Sequence, residues 1–323
     1  MQGLAQGEHR RFAGPLAGLA ALAAVLVAGP AGALAAAPQS GAASASRAAA
    51  VSQRVERYWT PARMRSARPL DLVVDGSGRA HTRLGAPESG QASASFTPVA
   101  TPETPPYSVE GRIFIRRGDL RGYCSGTAIN SPSRQLVLTA GHCVNGGAEA
   151  GERGVYSNYL EFVPAYTGGL APFGAFVARR KTIRALPQWV KQGNPDFDMG
   201  AFLTFPNAEG VNVADAVGGG ATIVADLSRH QVFQTFGYPG ETKRMQGCQS
   251  PYVGDDLLSE PLPGPPTMAI RCRWAPGASG GGWLIDEGAE IDGINTYLHL
   301  DNKTRTYGPY FSSENILKLV AGL

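Results

Sequence analysis

Ser279 sits in the run PGASGGGW, where small residues and glycines surround one hydroxyl. A serine on such a side-chain-poor turn can meet a substrate carbonyl closely. The N–H groups of Gly277 and Ser279 can then face the oxyanion that forms on attack. A serine hydroxyl alone is a weak nucleophile; it needs a base, and the base needs a carboxylate to orient it. The histidines are His9, His81, His142, His230 and His299. His9 and His81 precede the region read below as catalytic. His142 ends QLVLTAGHC, in which an apolar run stops, Ala140 and Gly141 turn the chain, and the imidazole is offered to a cleft beside Cys143. The acid should lead into a buried strand. NPDFDMGAFLTF offers Asp196 and Asp198; Asp198 runs directly into MGAFLTF and is chosen, with Asp196, a turn residue after Pro195, as the fallback.

These residues must be held by short strands. From Tyr107 onward, runs such as GRIFIRR, CSGTAIN, RQLVLTA, YLEFVPAY, MGAFLTF, QVFQTFGYP and GGWLID follow one another with turn residues between them, as in a barrel or sandwich. No regular strand–helix alternation appears, which argues against a parallel α/β sheet. Only the end, SSENILKLVAGL, reads as helical, capped by Ser312 or Ser313, with Ile316, Leu319, Val320 and Leu323 on one face.

Ahead of the strand-rich region, residues 1–35 read as a signal peptide: Arg10 and Arg11, an apolar stretch Phe12–Val27, and the small-x-small site Ala33-Leu34-Ala35. Glycine and proline interrupt the apolar run, which disfavours a membrane anchor, and RRFAG is a poor twin-arginine match. Residues 36–106 read as a propeptide or linker, largely disordered, because their Ala/Ser-rich and Pro/Ser/Thr-rich stretches cannot bury a core. Within them, VERYWTPARMRSARPLDLVVD could form a small ordered element. Net charge is +3 and the basic residues are scattered, so nucleic acid is not an expected partner. Cys124, Cys143, Cys248 and Cys272 in an exported chain imply disulfides. Of the three pairings, the sequential one, Cys124–Cys143 and Cys248–Cys272, is favoured. Zinc is disfavoured for want of Cys-x-x-Cys or His-x-x-x-His spacing. The acidic run IDEGAEID reads as a solvated hairpin tip rather than a calcium loop.

LTAGHC, an Asp before an apolar strand, and GxSGG, in that order, resemble the chymotrypsin/trypsin-like serine protease family over residues 107–323. Subtilisin-like enzymes run Asp, His, Ser, and α/β-hydrolases run Ser, acid, His. An α/β-hydrolase would also have to find its base and acid among His299 and the few carboxylates after Ser279, and would leave TAGHC unexplained. FGYPGE, GRIFI and CSGTAI are similar to the bacterial branch that contains the glutamyl endopeptidases. The resemblance implies an all-β fold of two six-stranded antiparallel barrels with a C-terminal helix and the site between them. It implies His142 as general base and then acid, Asp198 holding the tautomer, Ser279 forming the acyl-enzyme, Gly277 and Ser279 as the oxyanion hole, and a Cys124–Cys143 bridge beside the histidine. The expected activity is that of a secreted, monomeric serine endopeptidase, made as a zymogen, acting on proteins or peptides without metal or cofactor and meeting a membrane only during export. The alternative is a secreted protease-like binding protein without turnover.

The sequence also departs from that family. Ala278 stands where digestive members carry the Asp that receives a new N-terminal ammonium, so activation is expected not to use that ion pair. Arg273 stands where trypsin-like members carry the Asp that binds basic side chains, which argues against trypsin-like selectivity. Asn295 stands where the glutamyl branch places a histidine. Arg273, Trp274, Thr296 and Tyr297 are the candidate pocket residues.

Overall fold

The structure, a computed structural model, describes residues 39–75, 79–85, 96–147, 154–240, 242, 244–256, 263–302 and 304–323; the signal segment read at 1–35 lies outside the described residues. The chain divides into two units, Met1–Ala42 and Ala43–Leu323, and the second carries everything that follows. Among the described residues no helix is long and apolar enough to cross a membrane.

Three strands precede the barrels: β1 (Arg68–Val74), β2 (Ala80–Leu84) and β3 (Thr97–Pro98). The first barrel is built from β4 (Glu110–Arg117), β5 (Leu120–Ala128), β6 (Leu136–Thr139), β7 (Asn158–Pro164), β8 (Phe176–Val177), β9 (Arg184–Ala185) and β10 (Gly200–Leu203). Antiparallel pairing runs β7–β4–β5–β6–β10, β8 pairs with β7, and the Ala178–Thr204 bridge closes the ring, with β9 as an extra edge on β10. The second barrel follows with β11 (Thr222–Ile223), β12 (Val232–Gly237), β13 (Gln246–Asp255), β14 (Met268–Ile270), β15 (Gly282–Ile285), β16 (Glu290–Ile294), β17 (Tyr297–His299) and β18 (Thr306–Gly308). Here β15–β12–β13–β14–β18 close through the bent pair β16/β17. Each ring thus has six staves, as the resemblance implied. Phe162, Phe176 and Phe202 fill the first barrel, and Phe233, Met268, Ile270 and Trp283 the second; all are fully buried.

The helices are short apart from the first: α1 (Gln39–Tyr58), α2 (Pro61–Ser66), α3 (Gly141–Val144), α4 (Pro187–Gln192), α5 (Val213–Ala216) and the C-terminal α6 (Ile316–Val320). The cap of α6 is Asn315 rather than Ser312 or Ser313: its Oδ1 accepts from the N–H of both Ser312 and Ile316. Ile316 and Leu319 of the expected face are buried.

Residues 36–106 differ most from the sequence expectation of disorder. The Ala/Ser-rich start is the helix α1, and α2, β1 and β2 follow it. The segment has no core of its own; it uses that of the barrels. Trp59 packs on Phe114 of β4 and donates from Nε1 to the Tyr159 carbonyl at 2.6 Å. Leu70, Leu72, Val73 and Val74 are all buried. β1 pairs in parallel with β5 (Arg68–Gly122, Pro69–Tyr123) and then with β17 (Leu72–Tyr297 to Val74–His299), and antiparallel with β2. β3 pairs with β13, so the second barrel recruits chain from before residue 107.

Glu110 ties the two barrels together. Its carboxylate accepts from the Thr127 hydroxyl at 2.8 Å and from the Gly282 N–H at 3.2 Å. Burial pushes its carboxyl up from 4.5 to about 8. The unfolded chain releases this proton near 4.5 while the folded protein keeps it to about 8, so Glu110 erodes stability as pH rises through that window. Glu110→Gln keeps the acceptor and removes the ionisation. Its melting temperature is expected to match the parent at pH 4.5 and to exceed it at pH 8, as read by calorimetry at both pH values; a variant less stable at both would contradict this account.

Candidate active site

The apolar strand β6 delivers Ala140, whose extended backbone opens the single turn α3, and His142 lies on that turn. The short turn Pro195–Phe197, initiated by the Asn194 side chain, ends at Asp198 just before β10. Because β6 and β10 are paired, the two residues meet. The His142 Nδ1–H donates to Asp198 Oδ2 at 2.8 Å, and the His142 backbone N–H donates to Asp198 Oδ1 at 2.6 Å. Both side chains are fully buried. With both carboxylate oxygens engaged, the imidazole has one tautomer and one orientation, leaving Nε2 as the free basic nitrogen. Nε2 makes no hydrogen bond. Arg117 Nη2 donates to the His142 carbonyl at 2.5 Å, and Trp189 packs edge-on to the imidazole.

Asp196, the fallback acid, faces away. Its Oδ1 accepts from the Thr267 N–H at 3.0 Å in the second barrel, and burial pushes its carboxyl up to about 7.

Ser279 is brought to the same place by Ser125, a residue that sequence reading did not single out. The Ser125 N–H donates to the Ser279 carbonyl at 2.8 Å, and the Ser125 hydroxyl donates to the Gly277 carbonyl at 2.9 Å. Gly277 (φ +98°) and Gly280 (φ +86°) adopt backbone that side-chain-bearing residues rarely take. The Ser279 hydroxyl lies 3.5 Å from the Thr296 carbonyl and donates there. The Gly277 N–H points into the cleft and donates to the Leu70 carbonyl at 2.7 Å. β1 therefore lies across the site. Its Asp71 is buried, and Arg83 of β2 holds the carboxylate at 2.8 Å.

The four pocket candidates separate. Arg273 is exposed and does not floor a pocket, because its neighbour Cys272 is pinned inward by the bridge to Cys248. Trp274 is buried, stacks on Phe96 and donates to the Thr235 hydroxyl. The Thr296 hydroxyl donates to the Tyr307 carbonyl. The Tyr297 hydroxyl bonds Asp256 Oδ2 at 2.5 Å and Thr267 Oγ1 at 2.6 Å, and its backbone pairs with Leu72. Asn295 is a structural hub: its Oδ1 accepts from Trp283 Nε1 and the Thr235 hydroxyl, and its Nδ2 donates to the Phe236 and Ala278 carbonyls.

Both disulfides take the sequential pairing, Cys124–Cys143 beside the histidine turn and Cys248–Cys272 in the second barrel. Among the described residues, the group with metal-ligand spacing is Cys124, His142 and Cys143, whose sulfurs are consumed by that bridge. IDEGAEID is a hairpin between β15 and β16, with Asp286 and Glu287 exposed at its tip, but Asp292 is buried in β16.

No family model and no curated protein matches the chain. Solved structures do. The protease Anisep from Arthrobacter nicotinovorans is 28% identical, with a TM-score of 0.58 over 71% of this chain and 99% of that one. The thermostable serine protease AL20 from an extremophilic microorganism is 24% identical, with a TM-score of 0.56 over 64% of this chain and 92% of that one. A Glu endopeptidase is 18% identical, with a TM-score of 0.56 over 71% and 96%. The fold is that of the chymotrypsin-like serine proteases.

Asn295→Ala would leave the Trp283 and Thr235 donors and two carbonyls unpaired in the core beneath Ser279. The expected cost is about 3 kcal/mol or more, read as a lower urea midpoint at unchanged slope. An unchanged midpoint would remove Asn295 from the framework of the site.

Proposed function

We propose that the protein is an exported serine endopeptidase, made as an inactive precursor, that cleaves proteins or peptides through an acyl-enzyme on Ser279. The observation that carries this reading is the His142–Asp198 pair, closed at 2.8 Å on a loop that abuts the Ser279 turn. In the working enzyme His142 Nε2 takes the Ser279 proton as the hydroxyl oxygen attacks the substrate carbonyl. The oxyanion is received by the N–H groups of Gly277 and Ser279. His142 returns the proton to the leaving amine, the C–N bond breaks, and water then releases the acyl group by the same relay. Export is supported by the leader-like N-terminus and by two disulfides.

The test is labelling of Ser279 by a fluorophosphonate on the activated protein, with the adduct mapped by mass spectrometry. Labelling at Ser279 that disappears in Ser279→Ala and falls sharply in His142→Ala is expected. Asp198→Asn should lower kcat about 10⁴-fold by losing the tautomer, while Asp196→Asn should leave it within about threefold. Absence of any labelling would turn the reading to a protease-like binding protein. Because Ala278 accepts no charge, acetylating the mature amino terminus is expected to leave kcat/KM unchanged. A large loss would mean that the new ammonium is used after all.

A further inference from the structure

We infer that β1 is the inhibitor of this cleft, bound in the direction opposite to a substrate. The inference rests on the protease reading above. Leu70 presents its carbonyl to the Gly277 N–H at 2.7 Å, where an oxyanion would be received. On one side of that point, Arg68 and Pro69 pair with Gly122 and Tyr123, next to Cys124; on the other, Leu72–Val74 pair with Tyr297–His299. A substrate whose acyl half reaches Thr296 and Tyr297 places the residues before the scissile bond on β17 and those after it on β5. In β1 the order is reversed: the earlier residues lie on β5 and the later ones on β17. The carbonyl is therefore presented while the nitrogen that would have to leave, that of Asp71, belongs to the half heading along β17. His142 Nε2 makes no hydrogen bond through which to protonate it. The Ser279 hydroxyl is turned to the Thr296 carbonyl. Acyl and leaving sides are exchanged, so the strand fills the cleft without being cut.

Several contacts hold the strand there. The Leu70 side chain packs over Gly122, where an added Cβ would come within 2.5 Å of it. Leu72 and Val74 share an apolar cluster with Trp189, Ala269 and Tyr297. Arg83 clamps Asp71, and the Val74 carbonyl accepts from the Leu300 N–H at 3.0 Å. Trp59, outside the cleft, fixes the same segment to the first barrel.

The experiment uses the full chain. Fluorophosphonate labelling of Ser279 is timed in the parent, in Leu72→Glu/Val74→Glu, and in Trp59→Ala, which touches nothing in the cleft. Slow labelling of the parent, labelling about a hundredfold faster in the double variant and an intermediate rate in Trp59→Ala are expected. A synthetic peptide of residues 66–85 should restore the block to the double variant and be recovered uncut. Equal, fast labelling of parent and variants would overturn the inhibitor while leaving the protease. Cleavage of the peptide between Leu70 and Asp71 would overturn the reversed direction. Failure of folded Trp59→Ala, the double variant and a parent digested free of its N-terminal segment to label at all would overturn the protease reading, and the inhibitor with it.

Discussion

The arrangement depends on how closely a chain without side chains can approach a barrel wall. An added Cβ on Gly280 would stand 2.1 Å from Thr139 Oγ1 and 2.4 Å from the Ser125 carbonyl; on Gly282 it would stand 2.6 Å from Glu110 Oε1. All three wall groups belong to the first barrel, while the loop belongs to the second. Only glycine lets Ser279 come down onto the turn that carries His142. The glycines after Ser279 thus serve the contact between barrels, a role different from the room for substrate that the motif alone suggests. The backbone groups exposed by this approach are then satisfied from the wall, by Ser125 and Glu110.

Two barrels meeting in this way leave a groove whose rims are strand edges. Exposed edges offer rows of backbone donors and acceptors, and an extended segment of any source can add to them. β1 does so on both rims at once, which is why it lies in parallel with β5 and with β17 although it belongs to neither barrel. Its grip has an opposing cost. Burial pushes the Asp71 carboxyl up from its usual range even with Arg83 and His142 pulling it down. A segment that must eventually leave the cleft fits this balance better than a permanent core strand would.

The chemistry was legible because it is local. TAGHC and GASGG each compress a turn, its backbone requirement and a reactive side chain into a few residues, and the choice of Asp198 over Asp196 followed from which one enters a strand. Pairing of the cysteines followed from chain order, and the barrels from the rhythm of short apolar runs. What sequence could not reveal is non-local. RPLDLVV reads as a strand, but nothing in it names the edges it joins, because half of its burial is supplied by residues more than two hundred positions away. The Ala/Ser-rich start looked unable to bury a core and is nevertheless helical, ending in Trp59 on the first barrel. Ser125 and Glu110 escaped notice for the same reason: their partners lie across the barrel interface.

The pocket candidates can be judged by where their polar atoms point. Selectivity for a charged side chain needs an opposite charge or an unspent donor facing the site. Asn295, where the glutamyl branch has a histidine, uses its oxygen and its nitrogen on the framework, and Trp274 uses its indole N–H on Thr235. Thr296 and Tyr297 turn their hydroxyls to Tyr307 and to Asp256 and Thr267. Arg273, the remaining cation, is in solvent. The Leu72 and Val74 side chains meet apolar and aromatic surface along the same wall. Among these described residues, the groups left to contact a substrate are apolar surface and backbone, so their arrangement favours recognition by shape over recognition by charge.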